Sequence, residues 1–93
     1  MARLYGVQVM PHCWSGAITI AAILQVLALL PDASWSRAAE SPMLELDVAP
    51  NLFRTDLISN PFVLKDGCID IPTGPGLGIE INEDVINEYL IED

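Results

Sequence analysis

The pattern of apolar and polar positions changes character near Pro50. Before that point apolar runs dominate. Residues 5–10 (Tyr-Gly-Val-Gln-Val-Met) are uncharged and partly β-branched, the composition of a buried strand. Pro11 ends the run, and His12, Cys13 and Trp14 follow as a turn at its carboxyl end. Ser15 or Gly16 can cap the next element. Within residues 17–30 only Thr19 and Gln25 are polar, which predicts a helix apolar almost all round, stopped by Pro31 and Asp32. At ~1.5 Å per residue the run is roughly 21 Å long. The hydrocarbon core of a bilayer is ~30 Å thick, so a core helix is expected rather than a membrane span. Residues 43–48 alternate apolar and acidic (Met-Leu-Glu-Leu-Asp-Val), the period of a short strand.

After Pro50 the chain becomes turn-rich. Residues 50–61 read as a loop with a helical turn. Residues 62–65 and 68–71 are β-type runs flanking Asp66-Gly67, a two-residue link favoured in tight hairpins. Gly74, Gly76 and Gly78 punctuate a Gly/Pro loop. No Lys and Ser/Thr follow the last glycine, so turn-forming backbone is expected rather than a phosphate cradle. Residues 79–81 are short and extended. Asn82 caps a final helix over residues 83–90, with Glu83 and Asp84 at its positive end. The order strand, helix, strand, hairpin, helix predicts an α/β chain in two parts, residues 1–49 and 50–93.

Composition sharpens this picture. A chain of 93 residues makes one small domain at most. With 52% hydrophobic and only 18% charged residues, it is too apolar for a disordered tail. It is also too apolar for a small monomer without leaving greasy surface. That excess implies more of its own fold, another subunit, or a membrane. A net charge of −9, from 13 acidic and 4 basic residues, disfavours nucleic acid and anionic membrane surfaces as partners. Cys13 and Cys68 allow one disulfide but are no framework, so reduced thiols and a cytoplasmic setting are expected; without a Cys-x-x-Cys pattern no structural zinc is expected. Trp14 and Trp35 read as packing residues.

Two motifs carry the chemistry. The tail Asp66-Gly67, Ile71-Pro72, Gly74-Pro75-Gly76-Leu77-Gly78 and Glu80, read with Pro11-His12 and with Pro50-Asn51-Leu52 and Arg54, resembles the end of enzymes of the mandelate racemase/muconate lactonizing branch of the enolase superfamily. The resemblance covers essentially residues 6–90. It implies that residues 1–49 are the last strands and helix of an incomplete (β/α) barrel. It further implies that residues 50–93 return to the capping region as a hairpin, a Gly/Pro loop and a short helix. Barrel chemistry sits at the carboxyl ends of the strands, and His12 and Glu45 each lie on or just after one.

The resemblance implies abstraction of the proton α to a carboxylate in a sugar-acid dehydratase or racemase. His12 would be the general base or acid, because imidazole changes charge near neutral pH. Glu45 would stabilise the developing enediolate oxygen, with Glu40 and Asp47 as alternatives for that role. Mg²⁺ is the cofactor implied for the parent family. Its carboxylate ligands and the lysine base come from earlier strands, so no metal is expected on this chain alone; Lys65, in the hairpin, is the one lysine. The implied partner is the missing N-terminal part of the enzyme or a complementary chain, the implied substrate a sugar-acid carboxylate, and the chain by itself is expected to be inactive. Two other readings stand beside this one. Arg3 followed by the apolar run resembles the leader of a small exported acidic protein, and the greasy helix could serve a non-enzymatic interaction module.

Overall fold

In a computed structural model, residues 1–30 and 41–91 are described. A two-stranded parallel sheet stands at the centre of the α/β fold: β1 (His12–Cys13) pairs with β2 (Glu45–Leu46), His12 opposite Glu45 and Cys13 opposite Leu46. Side chains alternate across a strand. His12 and Glu45 therefore share the outer face, while Cys13, 2% exposed, points into the core.

Helix α1 (Ala17–Leu27) bridges the two strands. Its N-cap is Gly16, whose absent side chain allows a close approach: a Cβ there would lie 2.9 Å from the Phe53 carbonyl oxygen. Ala17, Ile20, Ala21, Leu24 and Leu27 are buried, spaced by three and four residues along one face. Ile20, Leu24 and Leu27 join Cys13 in the core, and Leu44, Leu46, Phe62 and Ile69 pack against it. Burying a side chain such as Ile20 contributes about 1.5–3 kcal/mol, so this face is the main source of cohesion. The expected burial all round does not occur. Ile18 and Val26 on α1, and Leu29 just beyond it, remain exposed. The helix also ends earlier than residue 30: its last turn tightens through Leu29 N–H to Val26 O (3.1 Å) and Leu30 N–H to Leu27 O (3.0 Å). Pro31 and Asp32, expected to stop it, lie outside the described residues, as does Trp35.

The strand expected over residues 5–10 is replaced by a 3₁₀ turn (Ala2–Tyr5), a left-handed Gly6 and an exposed approach through Val7, Val9 and Met10. Strand propensity needs a neighbour to act on, and among the described residues β2 is paired only with His12 and Cys13. His12 is consequently part of the strand rather than of a turn after it. Trp14, expected to pack, is 77% exposed.

Beyond β2, α2 (Leu52–Thr55) is the anticipated helical turn, packed on α1. The Asp66-Gly67 link forms as read. Both residues have positive φ (51° and 77°), and Lys65 and Cys68 exchange two backbone hydrogen bonds of 2.9 Å. The flanking runs form no longer strands; Lys65 and Cys68 make a single antiparallel bridge. A second bridge joins Ile58 to Ile81. In the Gly/Pro loop, Gly78 has φ 73°, and a Cβ on it would meet Pro72 Cβ at 2.6 Å. Gln25, the polar position in the apolar helix, donates to the Pro72 carbonyl at 2.7 Å and so ties this loop to α1. Helix α3 (Glu83–Glu88) is capped by Asn82, whose side chain accepts from Asp84 N–H at 3.2 Å; it ends at Glu88, short of residue 90.

Candidate functional site: a histidine–glutamate pair across the parallel strands

Because His12 and Glu45 occupy opposing positions of a parallel pair, their side chains leave the sheet on one side. The His12 Nδ1 lies 3.2 Å from Glu45 Oε1. The two side chains are 62% and 58% exposed, so the pair faces solvent. Exposed pairs of this kind contribute only ~0–1 kcal/mol to stability. The fold therefore does not depend on the pair; the pair depends on the fold. Cys13 and Leu46, the next residues of each strand, anchor the opposite face in or against the core.

Chemically, a carboxylate on Nδ1 fixes the imidazole's tautomer and orientation. With Nδ1–H donating to Glu45, Nε2 is the nitrogen left to take or give a proton. Among the described residues the second carboxylate oxygen has no hydrogen-bond partner. Sequence reading brought forward these two residues separately; the register brings them together.

The alternatives for Glu45 separate from it. Asp47 belongs to a different pair: Arg54 Nη1 donates to Asp47 Oδ2 at 3.1 Å, and Arg54 Nη2 donates to the Ala49 carbonyl. Asp47 Oδ1 also accepts from Ala49 N–H at 2.9 Å. Glu40 lies outside the described residues. The Asp47–Arg54 pairing was not anticipated from the sequence. Asp47 stood as an alternative to Glu45 and Arg54 within the Pro50-Asn51-Leu52 resemblance; their opposite charges are seven residues apart, a helical spacing that Pro50 between them deprives of meaning. Cys13 and Cys68 are both free thiols, one buried and one exposed. Among the described residues, no helix is long and apolar enough to cross a membrane.

The donor set does not suit a divalent cation. Mg²⁺ requires several oxygen ligands in near-octahedral array. Among the described residues no group of three or more His, Cys, Asp or Glu side chains converges in a way that could hold a metal ion. These residues by themselves do not fit the ion, and no step is assigned to it.

Comparison with known proteins gives one consistent answer. Residues 1–85 match the family described as enolase C-terminal domain-like. The chain is 40% identical to D-galactarolactone cycloisomerase of Agrobacterium fabrum, an alignment that takes in 100% of this chain and 25% of that protein. It is 29% identical to D-gluconate dehydratase of Thermoproteus tenax, over 99% of this chain and 17% of that protein. Among solved structures, the 3,6-anhydro-D-galactonate cycloisomerase of Zobellia galactanivorans superposes with a TM-score of 0.76 at 30% identity, covering 98% of this chain and 23% of that one. The chain thus spans a quarter or less of the length of these relatives. With its α/β fold, its small parallel sheet and a family match over nearly all its residues, the chain belongs to the enolase C-terminal domain-like family.

Proposed function

We propose that His12 and Glu45 are the proton-transfer pair of a sugar-acid dehydratase or cycloisomerase site, contributed by the closing strands of a (β/α) barrel. In this reading residues 1–49 are barrel and residues 50–93 return toward a capping region. The observation that carries it is the 3.2 Å contact between His12 and Glu45 across the parallel register, in a chain whose relatives include sugar-acid dehydratases and cycloisomerases.

His12 acts at Nε2 as base or acid toward the carbon α to the substrate carboxylate. Glu45 holds the ring through Oε1. Its other oxygen, when protonated, donates to the oxygen on which charge develops as the α proton leaves. The outward-facing, solvent-accessible placement of both groups suits residues that must meet a substrate. In such an enzyme Mg²⁺ would be held by ligands outside these residues and would there supply charge stabilisation of the substrate carboxylate. The lysine base also comes from outside them, so the 93 residues alone perform no turnover. The setting is cytoplasmic, with both thiols reduced.

A chimera tests this reading. These 93 residues replace the matching segment of the Agrobacterium fabrum cycloisomerase, and isomerisation of D-galactarolactone is followed. The expected result is activity in the chimera that falls by about 10²–10⁴-fold on His12→Ala, with none in the isolated chain. A chimera as active with His12→Ala as without it contradicts the assignment.

A further inference from the structure

We propose that Arg54 and Asp47 are positioning residues that set Glu45, and through it the His12 ring; this rests on the reading of His12 and Glu45 as the reactive pair. The argument starts from the shortness of the sheet. Each strand contributes two residues to the ladder. Its flanking hydrogen bonds are Glu45 N–H to Pro11 O at 3.1 Å and a long Asp47 N–H to Cys13 O at 3.5 Å. So short a ladder defines register weakly, and a slip by one residue would turn Glu45 toward the core and Leu46 toward solvent. Something outside the ladder has to hold the end of β2.

Arg54 does so. Asp47 follows β2 directly and lies two residues beyond Glu45, on the same side of the extended chain. Its carboxylate is held at both oxygens, by Ala49 N–H and by Arg54 Nη1. The other arm of the guanidinium takes the Ala49 carbonyl. The planar fork therefore bridges a side chain and a backbone group at once, a geometry that lysine cannot copy. The side chains of Arg54 and Asp47 are 13% and 21% exposed, against 62% and 58% for His12 and Glu45. Partial burial makes this pair the more costly of the two to break from one side. Arg54 sits on α2, and α2 is seated on α1 where Phe53 meets Gly16. The clamp thus transmits the position of the helical layer to the strand end that carries Glu45.

The chain has one histidine, so a single ¹⁵N-labelled imidazole reports the outcome. In a neutral ring the ¹⁵N shifts distinguish the Nδ1–H from the Nε2–H tautomer. A free imidazole side chain favours Nε2–H; the contact with Glu45 favours Nδ1–H. The wild-type chain is expected to show mainly Nδ1–H. Arg54→Met is expected to lower the Nδ1–H to Nε2–H ratio by about two- to fivefold, the most that an exposed pair of this kind contributes. Arg54→Lys keeps the charge but loses the second arm, and is expected to fall between. Gln25→Leu removes a different tie between elements, the bond to Pro72, and is expected to leave the ratio unchanged.

A folded Arg54→Met chain with the wild-type ratio overturns the proposal. So does a Gln25→Leu chain that moves the ratio as far, because the effect would then be general loosening. Should Arg54→Met fail to fold, Arg54→Lys decides, and a wild-type ratio there overturns the proposal. A wild-type chain already in the Nε2–H form removes the His12–Glu45 pair itself, a failure of the underlying reading that no Arg54 variant is needed to recognise.

Discussion

The segment from His12 to Leu46 and the segment from Asn51 to Ile91 are held together by different physics. In the first, Cys13, Ala17, Ile20, Ala21, Leu24 and Leu27 are buried; in the second, only Leu57 and Ile58 are. The second instead has the left-handed residues Asp66, Gly67, Gly76 and Gly78, two isolated bridges and a capped helix. One segment is cohesive because a helix face is taken out of water. The other keeps its shape through turn chemistry and is fastened to the first by Gln25–Pro72, by Arg54 to Asp47 just beyond β2, and by Phe62 and Ile69 packed against the core. The proposed site belongs to the cohesive segment, and its alignment is set from the fastened one. The radius of gyration, 15.6 Å, exceeds the ~13 Å of a compact 100-residue domain, in keeping with so open an arrangement.

Mutations separate the two regimes, beginning with the core. Ile20→Ala is expected to destabilise the chain by about 2–5 kcal/mol, read as a lower denaturation midpoint. A loss under ~1 kcal/mol would mean that α1 is not the main source of cohesion. Gly78→Ala comes next, at about 1–3 kcal/mol. Its φ of 73° disfavours a side chain, and the added Cβ would press on Pro72. Unchanged stability would show that the Gly/Pro loop relaxes freely. Asn82→Ala, which removes the cap of α3, is expected to cost ~1 kcal/mol and to increase amide exchange mainly within α3. Exchange spreading into α1 would show that the two segments are one cooperative unit. His12→Ala is expected to change stability by less than ~1 kcal/mol, since the pair is exposed. A larger loss would place the histidine in the structural framework.

What could be read from the sequence follows the same division. Helix α1 was legible because its apolar positions are numerous and continuous, but its buried side was not: every face is apolar, and only the contacts select the one carrying Ile20 and Leu24. The Asp66-Gly67 turn and the Asn82 cap were legible because local chemistry determines them. Residues 5–10 misled because Val7 and Val9 suit a strand, yet a strand forms only against a neighbour. His12 and Glu45 were singled out by resemblance, one residue at a time. Their pairing depends on a register between positions 33 residues apart, which no local pattern encodes. Gln25 was a signal in plain view: a polar residue within an apolar helix usually meets a partner, and here it meets Pro72. Arg54 and Asp47 were each named, but nothing in the sequence paired them.

The central claim is that His12 and Glu45 act as one unit, and a double-mutant cycle in the active chimera tests it most directly. Rates of D-galactarolactone isomerisation are compared for the parent chimera, His12→Ala, Glu45→Ala and the double variant. Residues that act together lose their effect together. The account predicts a double variant no slower than the slower single one. A double variant whose loss equals the product of the two single losses would contradict it and show two groups working independently.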